Sequence, residues 1–485
     1  MSTLGSILGV ARGAVLAQQS ALQVTSNNVA NAETPGYTRQ RATLTAAHSV
    51  LMPNGSFGTG VLVTDVQRVR DTLLDASYRR QSASAAGATV RHDALTQVES
   101  VFNEPADGAI GSTLDKFWDS WSDLANAPTD SSARAIVVQR GQQLTQAFAN
   151  TDTGLLSVAA DTQTRLGSDV GQVNAIAKQI AALNVSIVSA EVGGHQAGDL
   201  RDQRDLQLDA LSKLATTTVD ERADGSIGVH VGTTTLVDGS SYNQLELRGP
   251  TTVQRRDPDR RLYNAPQWDV AVAGSSTTLR DAGGTIGAAI TVLNTDIPAA
   301  RQTVQVTLES VYDSVDGPYA LGYSATYEAA NPSEADWTNA DPSRQGSRAS
   351  FFEGANGVLT PSSMMVRISG DDLATGYSRY ATGDNRLALD IAGLRTATGK
   401  VGTKSIGDYY RASISSLASS TADAASTADA SGALATQADT QRQSVIGVST
   451  DEELIQLMKH QQAYAAAAKV VTAVDEMMQT LLGMK

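Results

Sequence analysis

Residues 4–30, LGSILGVARGAVLAQQSALQVTSNNVA, place Leu4, Leu8, Ala11, Val15, Gln18, Leu22, Thr25 and Val29 alternately four and three positions apart. That spacing keeps one stripe of an α-helix against a partner helix. Near the other end, Leu454, Leu457, Gln461, Tyr464, Ala468, Val471, Asp475, Met478 and Leu482 repeat the alternation. The two stretches predict terminal helices that pair as a coiled coil, with Leu4, Leu8, Val15 and Leu22 packing on Leu457, Tyr464, Val471, Met478 and Leu482. Gln18 and Gln461 fall on the seam, where buried polar side chains set register at a cost in stability. Burying a large aliphatic contributes about 2 kcal/mol, while each ordered residue loses about 1–2 kcal/mol of backbone entropy. Neither helix is expected to be secure alone, and both ends are expected to fray in a free chain and to order against neighbouring subunits.

Composition points the same way. The chain has 485 residues, 41% hydrophobic but only 5% aromatic, which suits about three domains built on long helices with small residues at their contacts. Its 37 Lys plus Arg against 51 Asp plus Glu give a net charge of −14, which argues against nonspecific binding to nucleic acid or anionic membrane. No apolar run reaches the length of about 18 residues that a membrane span needs. The N-terminus lacks the apolar core and cleavage site of a secretory signal. The absence of cysteine excludes disulfides, thiol catalysis and cysteine metal sites, and suits a chain that leaves the cytoplasm unfolded.

Working inward, the first helix should end near Asn31, because Thr34-Pro35-Gly36-Tyr37 reads as a tight turn. Residues 37–64 alternate polar and apolar around Pro53-Asn54-Gly55, the pattern of a hairpin. Helix is expected from Val66 to Phe102, with Val69, Leu73, Leu74, Tyr78, Leu95, Val98 and Val101 buried. Leu114, Phe117, Trp118, Trp121 and Leu124 form a helical stripe that anchors a core rather than a ligand platform. Leu166, Val173, Ile180 and Ile187 recur every seven residues, with Val170, Ala177 and Asn184 in the complementary position. Residues 216–280 change to short β-prone runs punctuated by Asp224-Gly225 and Asp238-Gly239, with Trp268 to Val272 expected to complete the sheet. Helical character returns at 284–315, 385–394 and 406–445, and Ser449 with Glu452 reads as a capping box for the last helix.

The fold expected is mainly α: a terminal coiled coil, a long-helix bundle and a small antiparallel β subdomain inserted in the middle. Its divisions are 1–45 with 446–485 for the coiled coil and 46–215 with 283–315 and 381–445 for the bundle. Residues 216–282 form the β subdomain, and 316–380 an irregular outer insertion.

Ser26-Asn27-Asn28-Val29-Ala30-Asn31-Ala32-Glu33-Thr34-Pro35-Gly36-Tyr37 closely resembles the N-terminal motif of bacterial flagellar rod, hook and hook-associated proteins. Several further segments are similar to the hook-associated members: Gly58 to Val61 running into Gln67-Arg68-Val69, Phe102 to Pro105, Phe117 to Pro128, Leu200 to Asp205, and Asp451 to Tyr464. The resemblance covers most of 1–215 and 385–485, while 216–380 match weakly and some relatives carry a larger outer β domain there. It implies a non-enzymatic adaptor in which a ring of subunits joins hook protein to filament through a second junction protein. The terminal helices would form an inner tube around the export channel. It further implies export through the flagellar type III pathway without a cleaved signal, and an export chaperone on the C-terminal helix. The assembly interface would comprise Leu4, Leu8, Val15, Gln18, Leu22, Val29, Leu457, Gln461, Tyr464, Val471, Met478 and Leu482. Asn28, Asn31, Pro35, Gly36 and Tyr37 would either set the exit angle of the chain or simply stop the helix.

No chemistry competes with that reading. His48, His92, His195, His230 and His460 are scattered outside any His-Glu-x-x-His pattern, so no metal or cofactor is expected. Gly193-Gly194 and Gly283-Gly284 read as turns, and Asp371-Asp372 with Asp199, Asp202 and Asp205 as solvated faces or local salt bridges rather than acid–base pairs. The alternatives are another axial subunit (hook, distal rod or filament) or a surface adhesin. A wall-cleaving enzyme would need a catalytic constellation that 216–380 lack.

Overall fold

Asparagines end the first helix, α1 (Ser2–Ala30), in a computed structural model that describes residues 2–52, 55–256, 262–323, 350–378, 381 and 383–483. Asn31 turns its amide back onto Asn27 O, and Tyr37 N–H closes on Thr34 O at 3.1 Å. Gly36 between them has a φ of 80°, the left-handed value that a type II turn requires after Pro35.

A ribbon follows, β1 (Gln40–Ala46) antiparallel to β4 (Val61–Arg68) and extended by the hairpin of β2 (Val50–Met52) and β3 (Gly55–Phe57). The expected turn residues Pro53 and Asn54 lie outside the described residues. Helix begins at Thr72 instead of Val66, because 61–68 are paired in the ribbon and Asp71 caps α2 (Thr72–Phe102) by accepting from Leu73 and Leu74 N–H. Leu73, expected inside, is exposed in that first turn.

α3 (Ile110–Asn126), α4 (Ser131–Ala190) and α5 (Gly198–Leu214) complete the first half of the body. The 60 residues of α4 span on the order of 90 Å and serve two cores. Its first half gives Val137, Leu144, Phe148 and Leu155 to a core centred on Phe117, Trp118 and Trp121. Its second half gives Leu166, Val173 and Ile180 to a core shared with α5 and the β subdomain. Ile187, Val170, Ala177 and Asn184 are buried as the seven-residue repeat predicts. By length and composition α4 could cross a membrane, but these two cores take up its apolar stripe.

The β subdomain orders β5 (Thr217–Glu221), β6 (Ile227–Val231), β7 (Thr234–Asp238) and β8 (Ser241–Tyr242) in sequence. Gly225 and Gly239 take positive φ at the expected turns. Trp268 to Val272 do not complete this sheet. They belong to a separate ribbon of β9 (Leu245–Arg256) and β10 (Leu262–Val272). Helix side chains take the place of a sheet neighbour there. The Asn174 amide holds both Leu245 N–H and C=O, at 2.7 and 2.8 Å, and Asn294 does the same for Trp268 at 2.8 Å.

Asn294 sits in a π-helical turn, Val292–Asp296, between α6 (Gly284–Thr291) and α7 (Ile297–Tyr319). Beyond α7, residues 324–349, 379–380 and 382 of the expected outer insertion lie outside the described residues. Part of 350–368 turns inward instead of out: Phe351, Phe352, Met364 and Ile368 join the tryptophan core while Val358 and Met365 stay exposed, and β11 (Phe352–Glu353) pairs with β12 (Met365–Val366). The fold closes with α8 (Arg386–Gly393), α9 (Ile406–Ile446) and α10 (Thr450–Gly483). α9 lies along α2 through small residues: Ala424, Ser431 and Ala438 are buried on α9 and Ser82 and Ala83 on α2, with Ser431 Oγ 3.4 Å from Ser84 Oγ.

Candidate assembly surface and its root

α1 and α10 pack together as an antiparallel arm, since Asn28 meets Glu453 at one end while Gln18 meets His460 farther along. The seam keeps Ala11 and Thr25 of the stripe that the heptads predict but elsewhere lies one position round from it, at Ala17, Ala21 and Asn28 in place of Gln18, Leu22 and Val29. Ala11, Ala17, Ala21, Thr25 and Asn28 are buried on α1. They face Glu453, Leu457, His460, Ala463, Ala467, Val471 and Val474 on α10, where Glu453 and Val474 are buried and the rest half-buried. Gln18 bonds to His460 at 2.7 Å rather than pairing with Gln461.

Of the predicted interface, Val15, Leu22, Val29, Leu457 and Val471 are half-buried, Leu8, Gln461, Tyr464, Met478 and Leu482 are exposed, and the Leu4 side chain lies outside the described residues. Two causes shift the seam. The β1–β4 ribbon claims another side of α1, where a Cβ on Gly13 would sit 3.2 Å from Val61 O and Gly60 lies against the Val10 backbone. The alanines then let α10 approach α1 more closely than large aliphatics would. The outer face of the arm is consequently apolar and open, with Leu8 and Leu16 on α1 and Leu454 and Ile455 on α10 exposed, and Ile7, Tyr464, Val470 and Leu482 are exposed along its flanks and tip. Monomeric surfaces seldom carry such a row without a partner.

The arm's root is polar and saturated. Asn28, 1% exposed, donates from Nδ2 to Gln40 O (2.8 Å) and Glu453 Oε2 (2.9 Å), while its Oδ1 accepts from Gln40 N (3.0 Å) and the Tyr37 hydroxyl (2.8 Å). Glu453 also accepts from Arg39 Nε at 2.8 Å. The Tyr37 hydroxyl is pushed up to about 12, by burial first and then by Asp199, Asp202 and Glu453. The expected capping box is half made: Glu452 N–H reaches Ser449 Oγ at 3.5 Å, but the Glu452 carboxylate pairs with Arg39 instead of returning to Ser449.

Beneath the root, α5 presents acids on one face and arginines on the next, because positions 202, 205 and 209 lie one above another on a helix. Asp202 accepts from Thr38 N at 3.0 Å and from Arg68 Nη1 at 2.7 Å. Asp205 holds Arg68 (2.8 Å), Arg70 (2.9 Å) and Arg79 (3.1 Å). Asp209 holds Arg79 Nε (2.8 Å) and Arg442 Nη1 (2.6 Å), and the Arg442 guanidinium lies 3.7 Å from the centre of the Tyr78 ring. Burial drives the Asp205 carboxyl upward, but Arg70, Arg68 and Arg79 together outweigh it and hold it below the usual range.

On the adjoining face, Arg201 grips Glu191 at 2.6 Å, and Arg204 donates to Asn184 Oδ1 (3.0 Å) and Gly225 O (2.7 Å). Burial lowers Arg204 to about 10. One helix thus ties the ribbon, α2 and α9 at the base of the arm to the β subdomain. The salt bridges expected of Asp202 and Asp205 are therefore buried and long-range, not local or solvated. The i, i+3, i+7 spacing of Asp202, Asp205 and Asp209 was the available signal. Among the described residues, no group of three His, Cys, Asp or Glu side chains is placed to hold a metal ion.

The comparisons match this architecture part by part. A family model for the "Flagellar hook-associated protein FlgK helical domain" matches residues 95–331. Models for "Flagella basal body rod protein" and "Flagellar basal body rod FlgEFG protein C-terminal" match 8–38 and 440–484, which take in most of α1 and all of α10, the two helices of the arm. Flagellar hook-associated protein 1 of Bacillus subtilis (strain 168) is 29% identical over 501 residues, covering 98% of this chain and 97% of its own. The Salmonella typhimurium protein of the same name is 25% identical over 566 residues, covering 99% and 100%. Among solved structures, the flagellar hook junction protein FlgK from Burkholderia pseudomallei aligns with a TM-score of 0.59 and 15% identity over 76% of this chain and 100% of that one. At that identity the likeness is one of fold.

Proposed function

We propose, from the premise that this chain is a flagellar axial protein of the hook-associated protein 1 type, that it is a structural subunit of the extracellular flagellum at the hook–filament junction. The observation that carries the mechanism is the α1–α10 arm, apolar on its outer face and locked at its root to a folded body. Ring formation buries that face between neighbouring arms. Leu8, Tyr464, Met478 and Leu482 then contact neighbouring copies rather than the arm's own partner helix.

Charge supports this arrangement. Within 1–45 and 446–485, Arg12, Arg39, Arg41, Lys459, Lys469 and Lys485 balance Glu33, Asp451, Glu452, Glu453, Asp475 and Glu476, so the whole net charge of −14 lies in the body. Neutral arms crowd at small radius without repulsion, while the acidic bodies sit farther apart. The Asn28, Asn31, Pro35, Gly36 and Tyr37 segment sets the angle at which the ribbon leaves α1, since Asn28 bonds both to Gln40 of the departing strand and to the Tyr37 hydroxyl. Hook protein on one side, a second junction protein on the other, a chaperone on α10 before export, and export without a cleaved signal complete the proposal. No catalytic role is part of it.

The test replaces the protein in cells of its host. The Leu16→Asp, Leu454→Asp double variant changes two exposed positions, so it should still be secreted and fold, yet leave hooks without filaments and cells non-motile. Normal filaments on cells lacking the protein altogether would defeat the junction role.

A further inference from the structure

We propose that Met458, Met477 and Met478 form an oxidation site that only the unassembled chain exposes, so that hydrogen peroxide blocks the arm from joining a second copy. The inference rests on the arm's proposed role. With no cysteine in the chain, thioethers are its most readily oxidised side chains. Met458, Met477 and Met478 are 53%, 47% and 39% exposed. At about 100° per residue, Met458 lies beside Leu454 on the outer face of α10, Met477 on its flank, and Met478 in line with the seam beyond Val474, the last buried position among the described residues of the helix. An unbranched, polarisable side chain suits a surface that must mould itself to a neighbour.

The step is an oxygen transfer. The thioether sulfur attacks one peroxide oxygen, the O–O bond breaks, an S–O bond forms, and the second oxygen leaves as water carrying both peroxide protons. Sulfur loses two electrons and peroxide gains them. The sulfoxide is polar and chiral, and burying it in an apolar interface costs far more than burying the thioether. Assembly covers the sulfurs, so the modification acts on subunits before they join and spares those already in place.

The chain carries its own controls. Met364 is 5% exposed inside the tryptophan core, and its neighbour Met365, 51% exposed, sits on the body away from the arm. Full-length protein is treated with hydrogen peroxide either free or already incorporated in flagella, and each methionine is read by peptide mass spectrometry. In the free chain, Met458, Met477, Met478 and Met365 should oxidise while Met364 stays reduced, which also reports an intact core. After assembly the three α10 methionines should be protected. Oxidised free chain should associate with hooks from cells lacking the protein roughly tenfold more weakly and recover with methionine sulfoxide reductase, whereas the Met458→Leu, Met477→Leu, Met478→Leu variant, treated with peroxide in the same way, should lose nothing. Undiminished association of the fully oxidised chain, or equal loss in the triple leucine variant, would overturn the inference. Failure of the untreated chain to associate would overturn the arm's role, and this inference with it.

Discussion

Asn28 Nδ2 donates to Glu453 Oε2 at 2.9 Å across 425 positions of sequence, and Glu453 is only 3% exposed. This contact fastens the last turn of the first helix to the first turn of the last one. Every polar atom of the Asn28 amide is engaged, so substitution leaves several buried groups unpaired instead of deleting one bond.

Asn28→Asp should therefore be worse than its size suggests, since it sets a carboxylate beside the buried Glu453 carboxylate and loses both donors. The cost should be on the order of 2–4 kcal/mol, felt at the arm and not in the body. Hydrogen exchange would show faster amides over 2–30 and 450–483 with the tryptophan core unchanged. Unaltered exchange in α10 would remove Asn28 from the root.

Asp205→Asn should destabilise the free chain by roughly 3 kcal/mol, because Arg68, Arg70 and Arg79 would lose the carboxylate they share. Its folded pKa lies below the unfolded value, so its contribution is present above the ordinary carboxyl range and lost as the pH falls through and below about 4. Urea melts at pH 7 and pH 3 should differ less for the variant than for the parent.

Asp316 carries the opposite sign. Burial raises its carboxyl to about 7 although Phe351 and Phe352 N–H groups bond to it, so the folded chain pays for ionising it. Stability from this group is full below about 4 and declines as pH rises toward 7. Asp316→Asn keeps an acceptor for the two N–H groups and should gain on the order of 1–3 kcal/mol at pH 8 but little at pH 4. Parallel pH–stability curves for variant and parent would contradict this.

Two glycines should respond oppositely to alanine. Gly36 has a φ of 80°, and a Cβ there would lie 2.4 Å from Leu206 Cγ, so Gly36→Ala should cost roughly 1–3 kcal/mol. Gly9, inside α1 with no atom within 4 Å of its added Cβ, should accept alanine with a gain of about 0.5–1 kcal/mol in helix stability. Thermal melts monitored by helicity would separate the two; a shared sign would contradict the turn geometry.

Periodicity and turn chemistry carried much of this molecule in one dimension. The repeat through Leu166, Val173, Ile180 and Ile187 predicted a buried stripe, and Thr34-Pro35-Gly36-Tyr37 predicted the turn that ends α1, because both depend on neighbours within a few residues. Strand punctuation at Asp224-Gly225 and Asp238-Gly239 is equally local.

What tertiary structure alone decided is which face each element shows to which partner. A heptad says that α1 has a stripe, but the ribbon at Gly13 and Gly60 turned that stripe toward Ala17 and Ala21 and left Leu8 and Leu16 outside. The Asp202–Asp205–Asp209 face was visible as spacing, yet its arginines come from positions 68, 70, 79 and 442. Phe351 and Phe352 sit in an aperiodic stretch and reach the core through Asp316, which accepts their N–H groups, and through the rings of Phe117 and Trp121, which meet them only after folding. Local propensity is written in adjacent residues, whereas burial and charge pairing depend on chain segments that meet only after folding.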